Sequence, residues 1–292
     1  MPRQTVKILG VGNALLDINL KVTATYLQQL NLPSNTQLLT DESTKSRDVK
    51  VFKDLFENPK ASINTGGCCG NTLKFIQQVS NCVNLPIKTS FLGKIGNDVQ
   101  GEKFKSLMDE QVTSCNLLVS EHAQTGKVAC LVEGENRTLL ADLGAVEEPI
   151  VEFPNISDFS AGNLHEYNLC YLPGMFLNSS GNGILKEYLT KRSSTAIIAV
   201  NLSATFIIND DAGFERLLFA AERADIIFGN EEEWELFQKR TRNYFVKLDG
   251  DFVENGSSKD SLVDFDNKIV VVTRGGKDTK VRYNECVNYV ER

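Results

Sequence analysis

The chain has 292 residues, 41% hydrophobic and 24% charged, enough for one large α/β domain, or a domain with a small appendage, around a substantial core. Its 31 Lys and Arg against 38 Asp and Glu leave a formal charge of -7, which provides no general attraction to nucleic acid or to an anionic membrane, although a local basic site stays open. The seven cysteines are scattered, with Cys68 and Cys69 adjacent, so neither a disulfide framework nor a zinc spacing is visible; the start M-P-R-Q-T-V-K-I-L-G lacks a secretory apolar core, and a soluble intracellular protein with reduced thiols is expected.

The first predicted strand covers 6–11 and ends in G-V-G-N-A-L-L-D. A dinucleotide fingerprint needs a third glycine where Leu15 stands and a helix after it, whereas L-L-D-I-N-L-K-V alternates as a strand does, so NAD binding is excluded here. Asp17 on that strand reads either as a carboxylate accepting two hydroxyl hydrogen bonds from a sugar diol or as a solvated strand aspartate. A short helix at 26–30, a short strand at 37–39, a surface helix within 40–54 and a strand at 61–65 come next.

The sequence I-N-T-G-G-C-C-G-N, residues 63–71, then runs from strand through a glycine pair into a helix, with apolar residues recurring at Leu73, Ile76 and Val79. Gly66 and Gly67 let backbone approach a ligand closely, and Asn71 sits in the first helical turn; the alternative is a tight connection with no ligand. Residues 88–96 form a strand and 98–111 a helix, and this alternation predicts a parallel sheet. Residues 125–145 read instead as a hairpin turning at 134–136, which with the earlier short strands could form a small lid inserted in pieces.

Beyond Pro149 the alternation resumes in doubly wound order: strand 169–172, helix 183–191, strand 196–201, helix 213–222, strand 226–228, helix 231–239. A polar, irregular excursion is predicted over 241–267, then a buried strand in K-I-V-V-V-T-R-G-G. In open parallel sheets ligands bind beyond the carboxyl ends of the strands. There stand Gly66 and Gly67, Phe176, Asn201 with Ser203, Asn230 with Glu233, and Thr273 with Gly275, a set suited to a phosphate and a metal ion. Asn230 and Glu233 read equally as a helix cap, Phe176 as a base-stacking or a core ring, and Arg137 as a phosphate clamp or an exposed turn arginine.

Taken in order, G-N-A-L-L-D, G-G-x-x-x-N, E-N-R-T-L-L-A-D-L-G-A, Y-L-P-G-M-F-L, N-L-S-A-T-F-I, D-I-I-F-G-N-E-E-E and V-V-T-R-G-G-K-D-T resemble the ribokinase-like family of sugar and nucleoside kinases, most closely its adenosine kinase branch. The resemblance implies a doubly wound, mostly parallel sheet flanked by helices, with a small discontinuous lid from roughly 13–40, 60–65 and 125–145, all within one kinase unit. It implies transfer of the γ-phosphoryl group of ATP, with Mg²⁺, to the 5′-hydroxyl of adenosine, in the cytoplasm or also the nucleus. By the same resemblance Asp17, Gly66, Gly67 and Asn71, with Asn13 nearby, would hold the ribose. Leu16, Leu39, Leu139, Ala141, Leu143 and Phe176 would wall the adenine. Arg137 would reach the transferred phosphate, Asn201, Asn230 and Glu233 would order the ATP phosphates and the metal's waters, and Thr273 and Gly275 would border the ATP base.

Two departures from the family pattern shape further expectations. Cys68 and Cys69 at a helix start could have lowered pKa values and be open to oxidation. The chain stops at Y-V-E-R before the family's D-T-x-G-A-G-D signature, whose final aspartate is the general base. The expectation is therefore a C-terminally truncated unit with little activity and exposed apolar surface favouring aggregation or a partner, where a complete kinase would be a monomer. The competing readings are a sugar kinase of the same fold and a non-catalytic nucleoside-binding protein.

Overall fold

A computed structural model of the chain describes residues 4–148, 150, 166–179, 189, 196–249, 265, 267–284 and 286–291. It divides into two compact units, one of Met1–Val6 with Gly12–Pro149 and the other of Lys7–Val11 with Ile150–Arg292. The fold is mixed α/β, with a large, mostly parallel sheet flanked by helices and a second, smaller sheet.

In the first unit, strands β2 (Leu15–Lys21), β3 (Gln37–Leu39), β4 (Ser62–Thr65), β7 (Gly126–Glu133) and β8 (Asn136–Asp142) form a five-stranded sheet in the order β3-β8-β7-β2-β4. β7 and β8 are antiparallel and meet at Glu133 and Asn136 across a two-residue loop. Gly134 in that loop has φ +58, the position where hairpin turns of type II′ place glycine.

Successive strand residues point to opposite faces, and the register sorts them. Ile18, Leu20, Ala129, Leu131 and Leu140 share one face and pack with Leu27 of α1 (Ala24–Gln29) and with Val51, Phe52 and Leu55 of α2 (Lys45–Glu57). Burying each of the larger of these side chains contributes ~1.5–3 kcal/mol, which holds this sheet on its helices and frees its other face for polar groups. The same unit contains α3 (Cys68–Cys82), α4 (Val99–Asp109) and the parallel pair β5 (Ile87–Gly96) and β6 (Ser114–Ser120). Asp98 caps α4 at Gly101 and also binds the backbone and hydroxyl of Thr125, tying the start of β7 to that helix. In α3, Leu73 is buried as its spacing predicts, but Val79 is exposed and Ser80 takes the inward position.

In the second unit, β1 (Val6–Val11), β9 (Leu169–Pro173), β10 (Ile197–Asn201), β11 (Ile226–Asn230) and β12 (Ile269–Arg274) are parallel neighbours in the order β1-β9-β10-β11-β12. β13 (Lys277–Tyr283) and β14 (Cys286–Val290) continue from β12 as antiparallel strands. Helices α5 (Gly174–Ser179), α6 (Thr205–Asn209), α7 (Asp211–Arg223) and α8 (Glu231–Asp249) complete the described part.

The helix predicted to end at 239 continues to Asp249, which corrects the irregular stretch expected from 241. Thr241 is buried with its hydroxyl on the Phe237 carbonyl at 2.8 Å, and Tyr244 meets Phe214 edge-on, so tertiary packing sustains a polar sequence as helix. The helix predicted over 183–191 lies outside the described residues except Leu189, as does the G-S-S-K-D centre of the predicted excursion. Among the described residues no helix is long and apolar enough to cross a membrane.

Candidate functional site

The first unit gathers its candidate residues where β4 passes into α3, on the sheet face turned away from the core. Asp17 on β2 is opposite Asn64 on β4 and Val128 on β7, Val128 is opposite Ala141 on β8, and Ala141 is opposite Leu39 on β3. With Leu139 and Arg137 at alternate positions of β8, this register puts Asp17, Leu39, Ala141, Leu139 and Arg137 on one face. Leu139, Ala141 and Leu143 are half-buried, while Leu39 and Arg137 are exposed.

Leu16 does not join them. Its neighbour relation to Asp17 turns it to the core side, where its relative exposure is 0%, so it cannot wall a ligand on the Asp17 face. Phe176 belongs to the second unit, on α5, and is 1% exposed; it is a core ring.

The turn is built around the Asp17 carboxyl. A Cβ on Gly66 would lie 2.1 Å from Asp17 Oδ1 and 2.2 Å from its Cγ, so only glycine leaves room for this side chain. Gly66 N–H donates to the Leu15 carbonyl at 2.7 Å, which fixes the turn to β2. Gly67, the N-cap of α3, has φ +80, and a Cβ there would fall 2.5 Å from the Asn13 carbonyl oxygen. Asn71 N–H donates to the Gly67 carbonyl, and its side chain stands at the exposed start of the helix.

Burial pushes the Asp17 carboxyl above its ordinary range, while the positive charges of Lys74 and Arg137 act in the opposite direction. Lys74 is the functional candidate that sequence reading missed. From the second turn of α3 its ammonium donates to the Thr65 carbonyl at 2.6 Å and the Thr65 hydroxyl at 2.9 Å. Its own pKa is lowered by burial and raised in part by Asp17. A lysine seven positions after the second glycine was the available signal.

The cysteines behave otherwise than their place at a helix start suggests. Burial raises the Cys68 thiol, outweighing the opposing backbone N–H groups of Cys69 and Cys68, and Cys69 is buried. The lowering expected at a helix start is therefore not what the surroundings of Cys68 favour, while its side chain stays exposed and open to an oxidant.

The second unit holds the remaining candidates at the ends of its parallel strands. Asn201 donates to the Tyr171 hydroxyl at 3.3 Å and accepts from Ser203 N–H at 2.8 Å, shaping a turn in which Ser203 has φ +70. Asn230 and Glu233 cap α8 reciprocally: Glu233 N–H donates to Asn230 Oδ1 at 2.8 Å and Asn230 N–H to Glu233 Oε2 at 2.9 Å. Thr273 is exposed one residue before the end of β12, and Gly275, with φ +62, opens the following turn with nothing within 4 Å of where a Cβ would stand.

Among the described residues no three His, Cys, Asp or Glu side chains gather as a metal site. The Glu233 carboxylate, with one oxygen engaged by the cap, would fit a magnesium ion through its water shell rather than as one of a set of direct ligands.

The chain matches the family described as pfkB family carbohydrate kinase over residues 39–291. It is 27% identical over 279 residues to adenosine kinase of Saccharomyces cerevisiae, covering 95% of this chain and 78% of that protein. It is 25% identical over 232 residues to adenosine kinase 2 of Arabidopsis thaliana, covering 80% of this chain and 64% of that protein, so it spans less than two thirds of the plant relative. Among solved structures, the apo adenosine kinase of Trypanosoma brucei brucei matches with a TM-score of 0.76 at 22% identity, covering 99% of this chain and 85% of that one, a likeness of fold.

Proposed function

Because the chain belongs to the pfkB family of carbohydrate kinases, we propose that it is an adenosine kinase, transferring the γ-phosphoryl group of ATP to the 5′-hydroxyl of adenosine to give AMP in purine salvage. The observation that carries this reading is the Asp17 carboxyl packed flat against Gly66 beside two cations. A carboxylate has enough lone pairs to accept both hydroxyls of a ribose diol, and one seated in the space that a Gly66 side chain would fill is placed before the ligand arrives.

In this reading Asp17, Gly66, Gly67, Asn71 and Asn13 hold the ribose, and Leu39, Leu139, Ala141 and Leu143 line the adenine. Arg137, exposed on β8 close to the hairpin turn, contacts the transferred phosphoryl group, where its planar fork of donors suits phosphate oxygens. On the second unit, Asn201 and the Asn230–Glu233 cap order nucleotide phosphates, and Thr273 and Gly275 border the ATP base. Magnesium, when bound with ATP, supplies neutralisation of phosphate charge; Glu233 would hold it through water.

The test is calorimetric titration with adenosine, ribose and fructose, followed by chromatographic detection of AMP from adenosine and ATP. Preference for adenosine, lost in Asp17→Ala, supports the reading. A sugar kinase of the same fold is the second reading, favoured by one observation: Phe176, the aromatic expected against adenine, is buried in the core of the second unit. Ribose or fructose bound more tightly than adenosine would select it.

A further inference from the structure

We propose that Lys74 is a positioning residue for the nucleoside site, clamping the Thr65 end of β4 to α3 so that the Gly66–Gly67 turn and the Asp17 carboxylate are set before ligand arrives. The proposal rests on the nucleoside-kinase reading and adds to it a residue that touches the turn rather than the substrate. Thr65 is 1% exposed, and both its carbonyl and its hydroxyl are taken by the one ammonium. A lysine tying backbone nine residues away closes the strand, turn and first helical turns into a ring. Gly66 N–H on the Leu15 carbonyl joins that ring to β2, the strand that bears Asp17.

The charge has a second use. Asp17 is faced by Lys74 from α3, by Arg137 from β8 and by the thiol of Cys130 from β7, which is itself raised mainly by burial. Lys74 is half-buried and therefore weakly screened, so its charge favours the ionised carboxylate that a diol requires. Removing it leaves Asp17 with burial opposed by Arg137 alone. The carboxylate then accepts a proton at higher pH, and hydroxyl binding fails earlier on the acid side.

The experiment compares wild type, Lys74→Met, Lys74→Gln and Asp17→Asn by adenosine calorimetry from pH 5 to pH 8, and by amide hydrogen exchange without ligand. Lys74→Met is expected to weaken adenosine binding about tenfold at pH 7, to move the acid limb of affinity to higher pH and to speed exchange across residues 65–71. Lys74→Gln, which can still donate to Thr65, should keep slow exchange yet share the shifted limb, separating clamp from charge. If Lys74→Met fails to fold, the limb of Lys74→Gln decides in its place. Unchanged exchange in Lys74→Met, or an unmoved limb in both variants, overturns the proposal. If wild type binds no adenosine, the functional reading falls, while exchange in the free protein still judges the clamp.

Discussion

Substituting Gly66 by alanine tests the turn at its tightest contact. The new methyl carbon would stand 2.1, 2.2 and 2.5 Å from Oδ1, Cγ and Oδ2 of Asp17, well inside the 3.4–4 Å of ordinary contact at three atoms. Asp17 has one carbon between backbone and carboxyl, so a χ1 rotation or a shift of β2 must relieve the overlap. Overpacking of this kind costs ~1–3 kcal/mol. For a unit of this size each kcal/mol lowers Tm by roughly 2–4 °C. A displaced carboxylate also loses its charge-assisted hydrogen bonds to a diol, worth about 1.5–3 kcal/mol, or roughly 10-fold to 150-fold in adenosine affinity. The assays are thermal unfolding and calorimetry on Gly66→Ala in both wild-type and Asp17→Ala backgrounds. Without the Asp17 carboxyl the clash vanishes, so Gly66→Ala should cost little stability in the double variant. An equal loss in both backgrounds would refute the contact as the cause.

The other expectations concern the same elements. Gly67→Ala should destabilise more than Gly275→Ala, since both have positive φ but only Gly67 adds a 2.5 Å approach to a backbone oxygen, and paired chemical denaturation measures the difference. Asp17→Asn should raise Tm at pH 7: a carboxyl whose pKa is raised on folding costs stability once ionised, and the advantage should fade as pH falls towards the ordinary value of 3.8, which thermal scans across pH will follow. Glu233→Gln should keep the α8 cap and Tm while weakening magnesium-dependent nucleotide binding, whereas Glu233→Ala should lose ~0.5–2 kcal/mol through the cap as well. Cys115, pushed up to about 12 by burial, should resist iodoacetamide at pH 8, read by mass spectrometry of the native protein.

Much of this architecture is legible in the sequence because strong local patterns agree with tertiary packing. The alternation of L-L-D-I-N-L-K became β2, and the glycine of G-E between two apolar runs became the β7–β8 loop. Parity along β2 was equally readable, since adjacent Leu16 and Asp17 cannot face one ligand from the same flat strand; the family resemblance suggested both and the pleat admits one. Other elements carried weak signals. β6, S-C-N-L-L-V-S, has no alternation because its residues are mostly half-buried. α5 begins directly after Pro173 at Gly174, residues that punctuate rather than propagate helices. The antiparallel strands β13 and β14 are polar or exposed along most of their length, leaving periodicity little to report. In the site, Glu233 and Asn230 look like ligands by composition, and the fold also uses them to satisfy each other's backbone; Lys74 was overlooked because its partner is a backbone carbonyl, which no residue pattern displays.

Adenosine binding to Asp17→Ala beside wild type, measured by calorimetry at pH 7, tests the central claim most directly. The account predicts that wild type binds adenosine in preference to ribose or fructose and that the alanine variant, still folded, loses at least tenfold in affinity. Equal affinity in the two proteins would contradict it, since the carboxylate around which β2, Gly66 and α3 are arranged would then have no part in holding a nucleoside.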